Sequence, residues 1–165
     1  MQKLESFSTP DGLKEAFGTW WLGISEQFTL SAQVCSQPIA NDKGAYDLEN
    51  MMSLLDNTIM LHARLVEWTP AAKDYLHQAV ALESEALMEK YVKPPIGPMQ
   101  LKALVAGKVH GYQRVVESVE RLSSTLNLRF EALRSMISAE KSRWEHEIST
   151  PSQRPQRKAD DRDIF

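Results

Sequence analysis

Residues 99–147, MQLKALVAGKVHGYQRVVESVERLSSTLNLRFEALRSMISAEKSRWEHE, form the stretch that decides the fold. With Val105 at position a of a seven-residue repeat, eight of the ten a and d positions are apolar. The a positions hold Val105, Tyr112, Val119, Leu126 and Leu133, and the d positions hold Lys108, Val115, Leu122, Arg129 and Met136. This repeat predicts one or two long helices with a coiled-coil-like seam. The seam exceeds what two shorter helices easily cover, so it also predicts a homo-oligomer.

Helical periodicity continues before this stretch, and strand signals are almost absent. The predicted helices cover about 11–34, 45–68, 70–91 and 99–147. We expect Asp11 to cap the first helix, and Thr69 and Pro70 to open the third. Gly107 and Gly111 each cost about 1 kcal/mol in a helix relative to alanine, which predicts a kink or a close helix approach there. The fold class is therefore all-α, a long-helix bundle formed by one helical domain over 1–149.

The last residues, 150–165, differ in composition from the rest of the chain. Residues 151–158, PSQRPQRK, carry three cations and no anion, and an acidic segment ending in two apolar residues follows. So little apolar surface cannot offset the entropy of ordering, which predicts a disordered tail. We expect the tip to bind a partner, with an aromatic ring in a pocket and carboxylates against basic residues. The residues of this tip are Asp160, Asp161, Asp163, Ile164 and Phe165. A tail that ends in phenylalanine by chance is the alternative.

Length and composition exclude several classes of protein. A chain of 165 residues with 42% hydrophobic and 25% charged residues is ordinary for one globular domain with a tail. No run of 18 apolar residues and no secretory signal occurs, so we expect no membrane partner. The single cysteine, Cys35, cannot form an internal disulfide, which fits a cytoplasmic protein.

The sequence offers no chemistry typical of an enzyme. The histidines are scattered and form none of the paired metal-ligand motifs; they are His62, His77, His110 and His146. A single cysteine excludes a CxxC zinc site, and no glycine-rich phosphate loop or nucleophile elbow occurs. We therefore expect no catalytic residues, no metal site and no cofactor.

Basic side chains concentrate in the second half of the chain. Residues 98–150 carry eight Lys/Arg against six Asp/Glu, whereas residues 1–97 carry seven against thirteen. Arg114 and Arg121 are seven residues apart, so they project from nearly one helix face and suit phosphate contacts. The alternative is a solvated face that neighbouring acids neutralise, namely Glu117, Glu120 and Glu131.

A second basic segment is 61–68, LHARLVEW, in which Trp68 could stack on a base or pack in the core. The predicted DNA-binding residues are His62, Arg64, Arg114, Arg121, Arg129, Arg134, Lys141 and Arg143.

Two resemblances extend this hypothesis. Residues 61–65, LHARL, resemble the basic Leu-Lys-Ala-Arg-Leu segment of phage UvsY-type recombination mediators, with His62 in place of lysine. Residues 121–122 and 133–138, RL and LRSMIS, resemble the terminal helix of that family, which ends with an Arg-Ser pair. The tip DDRDIF resembles the C-terminal peptide of bacterial single-stranded DNA-binding proteins, although the proline of Ile-Pro-Phe is missing and Arg162 interrupts the acids.

These resemblances imply a small helical oligomer that binds single-stranded DNA. The UvsY-type family helps to load a recombinase onto strands covered by the single-stranded DNA-binding protein, and the tip implies recruitment of a partner. We therefore expect a non-enzymatic accessory protein of phage-type DNA recombination or replication, in the host cytoplasm if phage-encoded. The alternatives are a helical scaffold or adaptor, and an inhibitor that sequesters a host protein.

Overall fold

A computed structural model describes residues 7–37, 39, 48–92 and 95–149. These residues form three helices, which are α1 (Pro10–Ser36), α2 (Leu48–Lys90) and α3 (Pro98–Ser149). No strand occurs within the described ranges, so the all-α prediction is confirmed. The predicted disordered tail at 150–165, with its partner-binding tip, lies outside the described residues.

The helices α2 and α3 form a long antiparallel hairpin. Near the turn Leu87 packs with Val105, and at the opposite end Met51 packs with Leu133. The helix α1 lies along one side of this hairpin, antiparallel to α2. Its first turns pack near the hairpin turn through Leu13, and its last turn lies beside Arg129. The core is therefore a row of three apolar clusters rather than one compact centre.

The start of α1 differs by one capping residue from the prediction. Thr9 is the N-cap, and its side-chain oxygen accepts a hydrogen bond from the Gly12 backbone N–H at 3.3 Å. Pro10 then occupies the first turn, where its missing N–H costs nothing. Asp11 lies in that turn instead of capping it, and its negative charge is favourable beside the positive end of the helix dipole.

The prediction that helices 45–68 and 70–91 are separate is wrong, because α2 runs through Pro70 without a break. Thr69 does not act as an N-cap, since its hydroxyl donates to the Leu65 carbonyl at 2.8 Å, as in a helix interior. Leu65 and Ala72, on either side of the proline, are both fully buried. Packing of both halves of α2 on α3 therefore outweighs the hydrogen bond that proline removes.

The heptad seam of α3 is confirmed in its main positions. Four of the five a residues are buried and Tyr112 is half-buried, whereas Lys108 at position d is exposed. The seam is one helix, and Gly107 and Gly111 have no heavy atom within 4 Å of where a Cβ would lie, so the predicted close approach is wrong.

The seam is also covered within the chain itself. Val119 and Leu126 are both 0% exposed, packed with Leu65 and Trp68 of α2 and with half-buried side chains of α1. A single 43-residue α2 is long enough to cover the α3 seam, which removes the reason for expecting other subunits to do so. The homo-oligomer stays a prediction, but its interface must lie elsewhere.

Candidate nucleic-acid interface

An open groove of about 380 Å³ runs between the second half of α1 and the middle of α3. Its walls come from small or polar side chains, one leucine and one aromatic ring. These residues are Phe28, Ala32, Cys35, Ser36, Ser118, Arg121, Leu122 and Thr125. Ala32 and Ser36 are one turn apart on α1, so their small size leaves space that larger residues would fill. The groove is therefore a direct result of the α1 sequence.

Arg121 lines the α3 side of this groove, and Arg114 precedes it on the same face of α3. Both residues are exposed, and two helical turns place their Cα atoms about 10 Å apart along the axis. Ser118 and Thr125 continue the same face at the spacing of one helical turn. The two arginines therefore share the helix face that their spacing predicts, and this face borders the groove.

Two of the three acids expected to neutralise the two arginines, Glu117 and Glu120, contact other groups. Glu120 forms a salt bridge with Lys73 of α2 at 2.7 Å, and Glu117 accepts a hydrogen bond from Gln113 at 3.0 Å. Among the described residues, neither Arg114 nor Arg121 makes a salt bridge or a side-chain hydrogen bond. Both guanidinium groups are therefore available to an anion from solution.

Phe28 adds an aromatic surface to the groove. Its ring packs against Trp21, with ring centroids 5.4 Å apart, and it remains half-buried where it lines the groove. A ring held in this way can stack on a nucleobase while the arginines bind phosphate. The sequence alone does not identify Phe28 as a groove residue, because nothing in its spacing indicates that it lies at the edge of the apolar face of α1.

The expectation that Arg129 is exposed and contacts phosphate is corrected by the structure. Arg129 is only 7% exposed, and its Nη1 donates to the carbonyls of Cys35 at 3.3 Å and Gln37 at 2.7 Å. The last turn of α1 contains no basic residue of its own, so Arg129 supplies the cation that the negative end of that helix favours. Its Nε and Nη2 are buried, and no described residue accepts a hydrogen bond from them. Arg129 therefore anchors α1 to α3.

Cys35 lies between the groove and Arg129. Burial raises the pKa of the Cys35 thiol above its ordinary value of 9, and the Arg129 guanidinium opposes that rise with the smaller effect. The thiol is therefore protonated at neutral pH, which suits a packing residue better than a nucleophile.

The basic segment 61–68 is divided between three environments. Arg64 is exposed beside α1, and its Nη1 donates to the Gln27 side chain at 3.3 Å. His62 is two residues away and therefore points roughly 160° around the axis of α2, away from Arg64. Trp68 is buried with Val119 and Leu126, so the core alternative is confirmed and base stacking by Trp68 is excluded.

The remaining cations of α3 do not lie at the groove. Arg134 lies in a shallow depression with Glu131, roughly 140° around the helix axis from Arg121. Lys141 is exposed seven residues further on and shares the face of Arg134. Arg143 is exposed near the end of α3. Apart from the buried Arg129, the predicted DNA-binding residues therefore lie on several separate surfaces, and among the described residues Arg121 is the one of this set that lines the groove with Phe28.

No match to this chain was found among protein-family models, curated proteins or solved structures. Within the part of the chain that the structure describes, no helix is long and apolar enough to cross a bilayer. The same residues contain no group of three or more His, Cys, Asp or Glu side chains arranged to hold a metal ion.

Proposed function

We propose that this protein is a non-enzymatic accessory protein that binds single-stranded DNA in the groove between α1 and α3. The observation that carries the proposal is the pair of exposed, unpaired arginines, Arg114 and Arg121, beside a groove that Phe28 lines. Guanidinium groups bind phosphate oxygens through two parallel hydrogen bonds, and they keep their charge at every physiological pH.

The same geometry favours a single strand over a duplex. Stacking on Phe28 requires a base whose face is free, which a paired and stacked duplex does not offer. The arginines lie on the side of a helix that α1 flanks, and none of the three described helices projects from the bundle as a separate recognition helix to enter a major groove. Binding through phosphates and one stacking ring reads no base edges, so we expect little dependence on sequence.

The place of this activity in the cell follows from the two resemblances. A helical single-stranded DNA binder similar to the UvsY-type mediators would serve phage-type recombination or replication, acting in the host cytoplasm. Residues 160–165 would recruit a partner, such as a recombinase or a single-stranded DNA-binding protein. The buried placement of Leu65 means that the 61–65 likeness concerns core packing as much as DNA contact.

A titration of the purified protein with a fluorescently labelled single-stranded oligonucleotide at two salt concentrations tests the proposal. Binding should weaken steeply as salt rises, because each neutralised phosphate releases condensed counterions. An oligonucleotide of scrambled sequence should bind equally well, and the matched duplex should bind more weakly. Absence of binding at low salt would contradict the proposal and favour the scaffold or adaptor alternative, in which the helices serve assembly alone.

A further inference from the structure

The helix α2 carries an exposed apolar stripe on the side of the hairpin that α1 leaves open. Its members recur at multiples of seven residues and are each between 39% and 60% exposed; they are Met52, Ile59, Val66 and Val80. Lys73 occupies the remaining position of this series and pairs with Glu120 of α3. Tyr75, which packs on α1, is nine residues from Val66 and so lies about half a turn around the axis from the stripe.

The two ends of this open face have different shapes. Near the hairpin turn the face is concave, with an apolar groove of about 430 Å³ between α2 and α3 whose walls include Leu76, Val80 and Ala106. At the opposite end Met52 lines another open groove with Asp56 and Trp144, whereas Ile59, about half exposed, offers an apolar side chain to a partner. A face that carries both a groove and protruding apolar side chains is complementary to a second copy of itself.

We propose that the open face of the α2–α3 hairpin binds a second copy of this chain through a two-fold axis. In this homodimer α2 lies antiparallel to α2 of the other copy, with the axis close to Val66, and Ile59 of each subunit enters the groove beside Leu76 of the other. The two-fold axis makes every contact twice and uses the open face of both subunits, so the assembly closes at two subunits.

The dimensions of the open face suit a stable dimer. The stripe extends over 28 residues from Met52 to Val80, which is about 42 Å of helix at 1.5 Å per residue. A face two helices wide, roughly 20 Å, therefore presents about 800 Å² per subunit, the area that a standard stable interface buries on each side.

The charges on the open face are arranged to pair across the same axis. Asp56 lies beside the stripe near Ile59, and His77 lies beside it near Val80. Antiparallel packing brings Asp56 toward the partner subunit's His77. On α3 it brings Arg134 toward the partner subunit's Glu117. The Arg134–Glu117 pair, together with a hydrogen bond that His77 can donate to the Asp56 carboxylate, favours the antiparallel arrangement over a parallel one, in which Asp56 would face Asp56.

This dimer is independent of DNA binding, because the open face and the groove of Arg121 lie on different sides of α3. Light scattering on a size-exclusion column at micromolar concentration should give twice the mass of one chain. The double variant Ile59→Glu, Val66→Glu should elute as a monomer with unchanged helical circular dichroism. The matched control Leu22→Glu, Leu128→Glu replaces residues that are 74% and 73% exposed outside the stripe, and it should remain a dimer.

Cross-linking provides a second measurement that needs no disruptive charge. In a Cys35→Ser background, a cysteine at position 66 should join two chains through a short bismaleimide, because Val66 lies close to the axis. A cysteine at position 128 in the same background should not join them. A monomeric wild type, an assembly larger than a dimer, or equal cross-linking at the two positions would overturn the proposal.

Discussion

The double variant Arg114→Ala, Arg121→Ala most directly separates DNA binding at the groove from a general attraction of DNA to a basic helix. Both side chains are exposed, and no described residue pairs with them, so their removal should not disturb folding. The variant should bind single-stranded DNA more weakly and with a smaller dependence on salt, because two phosphate contacts are lost.

The size of the effect follows from the number of contacts. Each phosphate contact on a single strand contributes about 0.7 to the slope of log affinity against log salt, so two contacts contribute about 1.4. Over a fourfold rise in salt, the wild type should lose about sevenfold more affinity than the variant. Fluorescence anisotropy with a labelled oligonucleotide at several salt concentrations measures this difference.

The matched control is Arg134→Ala with Lys141→Ala. It removes the same formal charge from α3 on the face that carries no aromatic groove. Its salt slope should stay close to that of the wild type. If both double variants reduce the slope equally, the protein attracts DNA through net charge alone, and the assignment of the groove is refuted.

Three other predictions concern the anchor of α1, alkaline stability and the tail. Arg129→Met should lower the free energy of unfolding by about 2 kcal/mol, because charged hydrogen bonds to the end of α1 are lost. Chemical denaturation measures this change. A variant more stable than the wild type would show that burying Nε and Nη2 costs more free energy than the two hydrogen bonds contribute. Burial raises the pKa values of Tyr75 and Tyr112 above 10, and the nearby Glu83 adds to the rise at Tyr112. Because the folded state holds these two phenol protons more tightly than the unfolded state, the stability linked to them is complete below pH 10 and is lost as pH rises above 10. Tyr112→Phe should weaken this alkaline loss in denaturation curves, and an unchanged pH dependence would contradict it. Deletion of residues 160–165 should leave helical circular dichroism unchanged and raise DNA affinity modestly, because an anionic segment that competes with DNA is removed. Unchanged affinity would mean that the tip does not compete with DNA.

The sequence predicted the helices of this fold well because their periodicity is strong and local. The heptads of α3 identified its buried face, and the common face of Arg114 and Arg121 followed from their spacing. The break at Pro70 was predicted from a local rule, but packing of Leu65 and Ala72 on α3 decides the outcome and depends on residues far along the chain. Tertiary context overrides propensity in such cases.

The d position of Arg129 in the heptad already indicates a side chain inside the seam, and the assignment of Arg129 to DNA binding overlooked that signal. The partners of its guanidinium group were beyond sequence reasoning, because they are carbonyls at the end of α1, more than 90 residues earlier in the chain. The groove itself could not be predicted either, because the small Ala32 and Ser36 leave a space only where α1 packs beside α3. By contrast, helical geometry alone separates Arg134 from Arg121, since thirteen residues place them on different faces.

Site-specific photo-cross-linking tests the central claim, that single-stranded DNA lies in the groove between α1 and α3. A photoreactive amino acid at Ser118, on the groove wall between the two arginines, would be compared with the same amino acid at Ala139, which is exposed on the Arg134 side of α3. We expect a radiolabelled oligonucleotide to cross-link at position 118 and not at position 139, with the yield at 118 falling as salt rises. Equal yields at both positions, or a higher yield at 139, would contradict the claim.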